Sequence, residues 1–152
     1  MIEKKFCYQY PHPAVTADCV IFGFDGVSIK VLLIQRGIEP FKGKWALPGG
    51  FMKIDETAEE CAKRELEEET GYQAGKVEWL ISTRSMVAFC NEKVEIYVAT
   101  DLTPSKQHLD EEESIELEEH TIEELKEKIF KGEIEDSKTV ASLLAYAVKY
   151  QA

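Results

Sequence analysis

Apolar and β-branched residues crowd two runs near the start of the chain, Ala14–Phe24 and Val27–Gln35, with Asp25-Gly26 between them. An Asp-Gly pair between two such runs predicts an antiparallel hairpin, because both residues tolerate the left-handed backbone of a tight turn. Val77–Thr83 and Lys93–Thr100 also read as strands, the second alternating through Val94, Ile96 and Val98. Ser114–Glu119 is one more strand candidate. Arg36–Lys44 is polar, holds Pro40 and Gly43, and predicts a loop with Phe41 exposed. Trp45-Ala46-Leu47 follows as a short strand running into Pro48-Gly49-Gly50.

Helical periodicity appears in three places. Thr57 and Glu60 form a capping-box pattern that starts a helix over about residues 57–70, with Thr70-Gly71 as its stop. Its apolar stripe, Ala58, Cys61, Ala62 and Leu66, is narrow and small, which suits close packing on a sheet. Thr121 and Glu124 repeat the box at the head of Thr121–Lys131, which Gly132 ends. Lys138–Tyr150 is a last amphipathic helix carrying Val140, Leu143, Leu144 and Val148. Strands and helices mix without a βαβ repeat, so the expected class is α/β, a mixed β-sheet between helices.

With 152 residues and 44% hydrophobic content, the chain has enough material for one folded domain over 1–152, with no linker or internal repeat. A formal net charge of −11 argues against nucleic-acid binding, which needs basic patches. Cys7, Cys19, Cys61 and Cys90 show neither CxxC nor zinc spacing, and Cys19 and Cys61 sit in apolar patterns as packed thiols. The start, MIEKKFCYQYPHP, has no apolar signal region and no run reaches membrane-spanning length, so a cytoplasmic location is expected.

Charge placement then changes the picture. Glu65, Glu68 and Glu69 stand at i, i+3 and i+4, on one helix face and at the C-terminal turn. The macrodipole disfavours each acid there by roughly 0.3–1 kcal/mol, and like charges four apart repel. A solvated acidic face is the ordinary reading of a glutamate run. Here only Lys63 and Arg64 stand beside Glu65, Glu67, Glu68 and Glu69, and the acids keep a fixed offset from Gly49-Gly50. That favours a site for a hard divalent cation, which takes carboxylate oxygen ligands.

The segment GFMKIDETAEECAKRELEEETGY resembles the signature of the Nudix hydrolases, G-x5-E-x7-R-E-U-x-E-E-x-G-U, where U is a bulky aliphatic residue. Gly50, Glu56, Arg64, Glu65, Leu66, Glu68, Glu69 and Gly71 fall on its fixed positions, and Tyr72 departs from the usual final aliphatic residue. The resemblance implies an α/β/α sandwich and hydrolysis of a nucleoside diphosphate linked to another group, with Mg2+ or Mn2+ as cofactor. It implies Glu65, Glu68 and Glu69 as metal ligands, the carbonyl of Gly49 as a further oxygen donor, and Arg64 orienting the glutamates with Glu56 as its partner.

Likeness to the ADP-ribose pyrophosphatases extends the reading to most of residues 14–148. Asn91-Glu92-Lys93 and the tail Gly132–Thr139 look like that subgroup, and Asp110-Glu111-Glu112-Glu113 looks like its acidic catalytic loop. By that likeness Glu111 is the general base, Glu113 an orienting acid, and Glu92 a holder of a ribose hydroxyl. Met86-Val87-Ala88-Phe89 stands where the subgroup commonly has Ser-Pro-Gly-Phe, a departure at the pocket-lining loop. The first half is closer to a different Nudix branch than the second. Arg36 and Arg84 are phosphate candidates and Phe41 or Trp45 stacking candidates, with core packing as the plainer role for Trp45. The expected partner is a small nucleotide, ADP-ribose first, and homodimers are frequent in the subgroup. Nucleoside triphosphate hydrolysis and effector binding without turnover are the alternatives. Regulatory relatives usually append a DNA-binding domain and often lose acids that this box retains.

Overall fold

The computed structural model describes residues 15–24, 29–88, 90–109 and 114–150. Seven strands form one mixed sheet: β1 (Val15–Phe24), β2 (Ile29–Arg36), β3 (Trp45–Ala46), β4 (Gly49–Phe51), β5 (Tyr72–Thr83), β6 (Lys93–Pro104) and β7 (Ile115–His120). Among the described residues there are three helices, α1 (Ala58–Thr70), α2 (Ile122–Phe130) and α3 (Ser137–Tyr150). β1 and β2 pair antiparallel with Phe24 opposite Ile29, as the apolar runs predict. The Asp25-Gly26 turn itself lies outside the described residues. β1 also runs parallel to β6 and antiparallel to β4, which places Asp18 opposite Gly49 and Ala17 opposite Gly50.

Strand alternation sorts β1 between two cores. Ala17, Cys19 and Ile21 pack with Cys61, Ala62 and Leu66 of α1. Val20 and Phe22 pack on the other face with Ile122 and Leu125 of α2 and Leu143 and Ala147 of α3. The sheet therefore lies between helices, the α/β sandwich expected from the mixed pattern. Cys19 and Cys61 are both buried free thiols. Burial is the main cause raising both thiol pKa values, that of Cys61 to about 12, so these are packing groups.

Both predicted capping boxes form. Thr57 and Thr121 each accept a backbone N–H from the glutamate three residues on, whose carboxylate in turn accepts from the cap's own N–H. Gly71 closes α1 at φ 70°, a left-handed cap that a side chain would strain, and its N–H donates to the Glu67 carbonyl at 2.9 Å. Because that cap reverses the chain at once, β5 begins at Tyr72 rather than Val77. In α3 the expected apolar set is only partly buried: Leu143 is inside, whereas Val148 is exposed. Thr139, Ser142 and Ala147 complete the inward face instead. Thr139 is satisfied there, its hydroxyl donating to Asp136 and accepting from the Leu47 N–H. That bond ties α3 to the segment just before Gly49.

Candidate functional site

β4 is the hinge of the site. Its Gly49 N–H donates to Glu69 Oε2 at 2.7 Å, and Glu69 is buried. A Cβ on Gly50 would stand 2.4 Å from Glu65 Oε1, and one on Gly49 would stand 2.5 Å from Asp18 Oδ1 and 2.6 Å from the Ala17 carbonyl. Only glycines allow α1 carboxylates to approach one side of this strand while Asp18 crowds the other. The spacing between the glycine pair and the acids is thus a contact distance made visible in sequence.

Arg64 organises the remaining acids. Its Nε and Nη2 donate to Glu56 at 3.0 and 2.7 Å, a bidentate fork. Nη1 donates to Glu65 at 2.6 Å and to Glu68 at 2.9 Å, while Nη2 also reaches the Phe51 carbonyl at 3.2 Å. Glu56 accepts the Lys53 N–H as well. These bonds, led by those Arg64 donates, hold the Glu56 carboxyl down at about 2, and the same bonds to Glu56 lead in raising the guanidinium. Both groups are charged across the physiological range.

Oxygen-rich, hard and anionic, the set Glu65, Glu68 and Glu69 fits Mg2+ or Mn2+ by donor chemistry. Among the described residues, no three His, Cys, Asp or Glu side chains are gathered as a ready-made metal cage. The carboxylates instead stand around β4, Glu65 and Glu68 paired with the Arg64 guanidinium and Glu69 hydrogen-bonded to the Gly49 N–H.

Beside this strand lies a cavity of about 280 Å³, lined among others by Thr16, Gly49, Gly50, Phe51, Glu92 and Lys138. Glu92 is the one substrate candidate that the structure brings there, accepting a hydrogen bond from Ser85. Arg36, Phe41 and Arg84 are not among its lining residues. Arg36 Nε donates to the Pro40 carbonyl at 3.0 Å and Arg84 Nη1 to the Asn91 carbonyl at 3.4 Å. Phe41 is 69% exposed at φ 68°. Trp45 takes the packing role, half-buried against the core with an edge-on His120. Glu111 and Glu113 lie outside the described residues. A larger cavity of about 510 Å³, bordered by Ile21, Lys30, Tyr72 and Asp101, contains none of the box acids.

Sequence reasoning passed over one pair, Asp18 and Lys138. Asp18 is wholly buried in β1, and Lys138 Nζ donates to its Oδ1 across the sheet–helix interface. Burial dominates in raising the Asp18 pKa. For Lys138, burial opposes the charge, but Asp18 and nearby acids raise the ammonium above its ordinary value. The signal was an acid inside the apolar run Ala14–Phe24, which a buried strand tolerates only with a partner.

The NUDIX domain model matches residues 12–143 of the chain. A methanol dehydrogenase activator from Bacillus methanolicus is 36% identical over 135 residues, covering 87% of this chain and 71% of that protein. An ADP-ribose pyrophosphatase from Bacillus subtilis is 32% identical over 124 residues, 80% of this chain and 64% of its own length. Among solved structures, the NUDIX domain of Shewanella oneidensis NrtR in complex with ADP ribose aligns at a TM-score of 0.63 with 27% identity, over 78% of this chain and 79% of that one.

Proposed function

The chain belongs to the NUDIX domain family, and on that premise we propose that it is a divalent-metal-dependent hydrolase of a nucleoside diphosphate linked to another moiety, with ADP-ribose as substrate. The observation that carries this reading is the arrangement around β4: Arg64 holds Glu56, Glu65 and Glu68, and Glu69 sits on the Gly49 N–H. The choice of ADP-ribose rests on the pyrophosphatase relative and on the ADP-ribose-bound structural neighbour.

In the proposed reaction, water attacks one phosphorus and the bond to the bridging oxygen breaks. ADP-ribose and water become AMP and ribose 5-phosphate. Glu65, Glu68 and Glu69, with the Gly49 carbonyl, would hold Mg2+ or Mn2+; the cation, when bound, neutralises phosphate oxygens and acidifies water. Arg64 positions the ligand carboxylates, and Glu56 fixes Arg64 through the bidentate fork. Glu111 takes the proton of the attacking water, with Glu113 orienting it. Glu92 accepts a hydrogen bond from a sugar hydroxyl. Among the described residues, no helix is long and apolar enough to cross a membrane.

The test is product analysis with Mg2+ across ADP-ribose, NADH, diadenosine polyphosphates and nucleoside triphosphates. AMP and ribose 5-phosphate in equal amounts, at the highest kcat/KM of the panel, is the expected outcome. A second reading is favoured by the NrtR likeness: ADP-ribose binding without turnover. Saturable binding with no product would establish that reading in place of the first.

A further inference from the structure

Two of the three proposed metal ligands sit at the weakest part of α1. Glu68 and Glu69 occupy its last turn, where carbonyls lack intrahelical partners and helices fray. The macrodipole and the mutual repulsion of the acids strain the same turn. From within the helix, the Glu67 carbonyl is met by the Gly71 N–H at 2.9 Å. The carbonyls that follow are met from outside. After β6 ends at Pro104, the chain crosses back over this end of α1. The Ser105 N–H donates to the Gly71 carbonyl at 2.7 Å, and the His108 N–H to the Glu68 carbonyl at 2.8 Å. Between them, Gln107 Nε2 donates to the Glu69 carbonyl at 2.7 Å. A carbonyl can only accept, so the amide nitrogen must face it.

Residues 105–108 therefore form a strap of N–H donors against the negative end of the helix, which offsets the cost of placing acids there. Gly71 leaves room for it: a Cβ at that position would stand 3.1 Å from the Gln107 backbone nitrogen. On the outer side, Ser105 Oγ donates to Glu67 Oε1 at 2.5 Å, and Glu67 has no part in the proposed metal set. Glu69, by contrast, is held at both ends. Gln107 fixes its carbonyl, and the Gly49 N–H fixes its carboxylate at 2.7 Å. A loosened last turn would carry that carboxylate away from Gly49 and away from Glu65, one helical turn earlier.

Resting on the metal-dependent reading above, we propose that Gln107 is a positioning residue for the divalent-cation site. It acts through the Glu69 backbone: by closing that carbonyl it holds the last turn of α1 in place, and so keeps the Glu68 and Glu69 carboxylates where they share a cation with Glu65.

Gln107→Met keeps the length of the side chain and removes its donors. Mn2+ is titrated into the protein without substrate, with free Mn2+ read by electron paramagnetic resonance, and urea stability is measured alongside. The KM for ADP-ribose is taken at saturating Mg2+. Ser105→Ala, which releases Glu67 rather than Glu69, is the control. The expected result is roughly 2- to 10-fold weaker Mn2+ binding in Gln107→Met, the range of one net hydrogen bond. KM at saturating metal should stay unchanged, and Ser105→Ala should bind Mn2+ as wild type does. Should Gln107→Met not fold, Gln107→Ala carries the same test. Lowered urea stability with unchanged Mn2+ affinity in the folded variant would make Gln107 a support of the fold alone and overturn the proposal. Equal weakening by Ser105→Ala overturns it as well, since the strap as a whole would then set the site. Wild-type protein that binds Mn2+ but does not hydrolyse ADP-ribose overturns the hydrolase reading and leaves this proposal standing. Wild-type protein that binds no Mn2+ overturns both.

Discussion

Replacing Arg64 by lysine isolates geometry from charge. The guanidinium makes four contacts with the carboxylates of Glu56, Glu65 and Glu68, two of them a planar fork to Glu56, and one with the Phe51 carbonyl. An ammonium has three donors around one point, so it keeps the charge but cannot span Glu56 on one side and Glu65 with Glu68 on the other. At least two charge-assisted bonds are lost, each worth about 1.5–3 kcal/mol. With the Arg64 side chain 20% exposed, water and the retained charge offset part of that. The expected cost is roughly 2–4 kcal/mol, or about 4–16 °C in Tm for a domain of this size. Urea denaturation of Arg64→Lys and wild type, read by circular dichroism, measures it. A difference below about 0.5 kcal/mol, the range of an ordinary surface change, would show that the glutamates are not organised by this guanidinium. Activity should fall in the same variant, because the carboxylates lose their placement.

Glu69→Gln keeps shape and removes charge, so the variant should fold, retain the Gly49 contact, and lose turnover; wild-type activity in a folded protein would remove Glu69 from the metal set. Gly50→Ala drives a methyl into the Glu65 carboxylate and should depress kcat through displaced metal binding, seen as a raised Mg2+ requirement in activity titrations. Glu56 has its folded pKa lowered from 4.5 to about 2, so its contribution is full above the unfolded value and fades as pH falls through the folded one. Wild type should therefore exceed Glu56→Gln in urea stability at pH 7, and the gap should close towards pH 2; a gap independent of pH contradicts the ion-pair account.

Local chemistry was legible in the sequence. Two capping boxes, the Gly71 stop and the apolar runs of β1 and β2 each depend on neighbours within a few residues, and each appears where the pattern places it. The Arg64–Glu56 pair was legible through a resemblance, since nothing in an eight-residue separation alone distinguishes it from a surface pair. What escaped was non-local. Lys138 and Asp18 stand 120 residues apart, and only the packing of α3 over β1 brings them together. Helical periodicity sets Val148 in the apolar stripe of α3, but it is exposed, and α3 turns Thr139 and Ser142 inward, where Asp136, the Leu47 N–H and the Lys138 carbonyl satisfy their hydroxyls. Polar residues with such partners can occupy a core face that sequence patterning reserves for apolar ones. Charge alone makes Arg36 and Arg84 phosphate candidates, and their donors reach nearby backbone carbonyls.

Hydrolysis of ADP-ribose by wild type and Glu69→Gln, with Mg2+ and then with excess chelator, tests the central claim most directly. The account predicts AMP and ribose 5-phosphate from wild type with Mg2+, and no product on chelation or in the folded variant. Metal-independent turnover, or equal turnover by the two proteins, would contradict it.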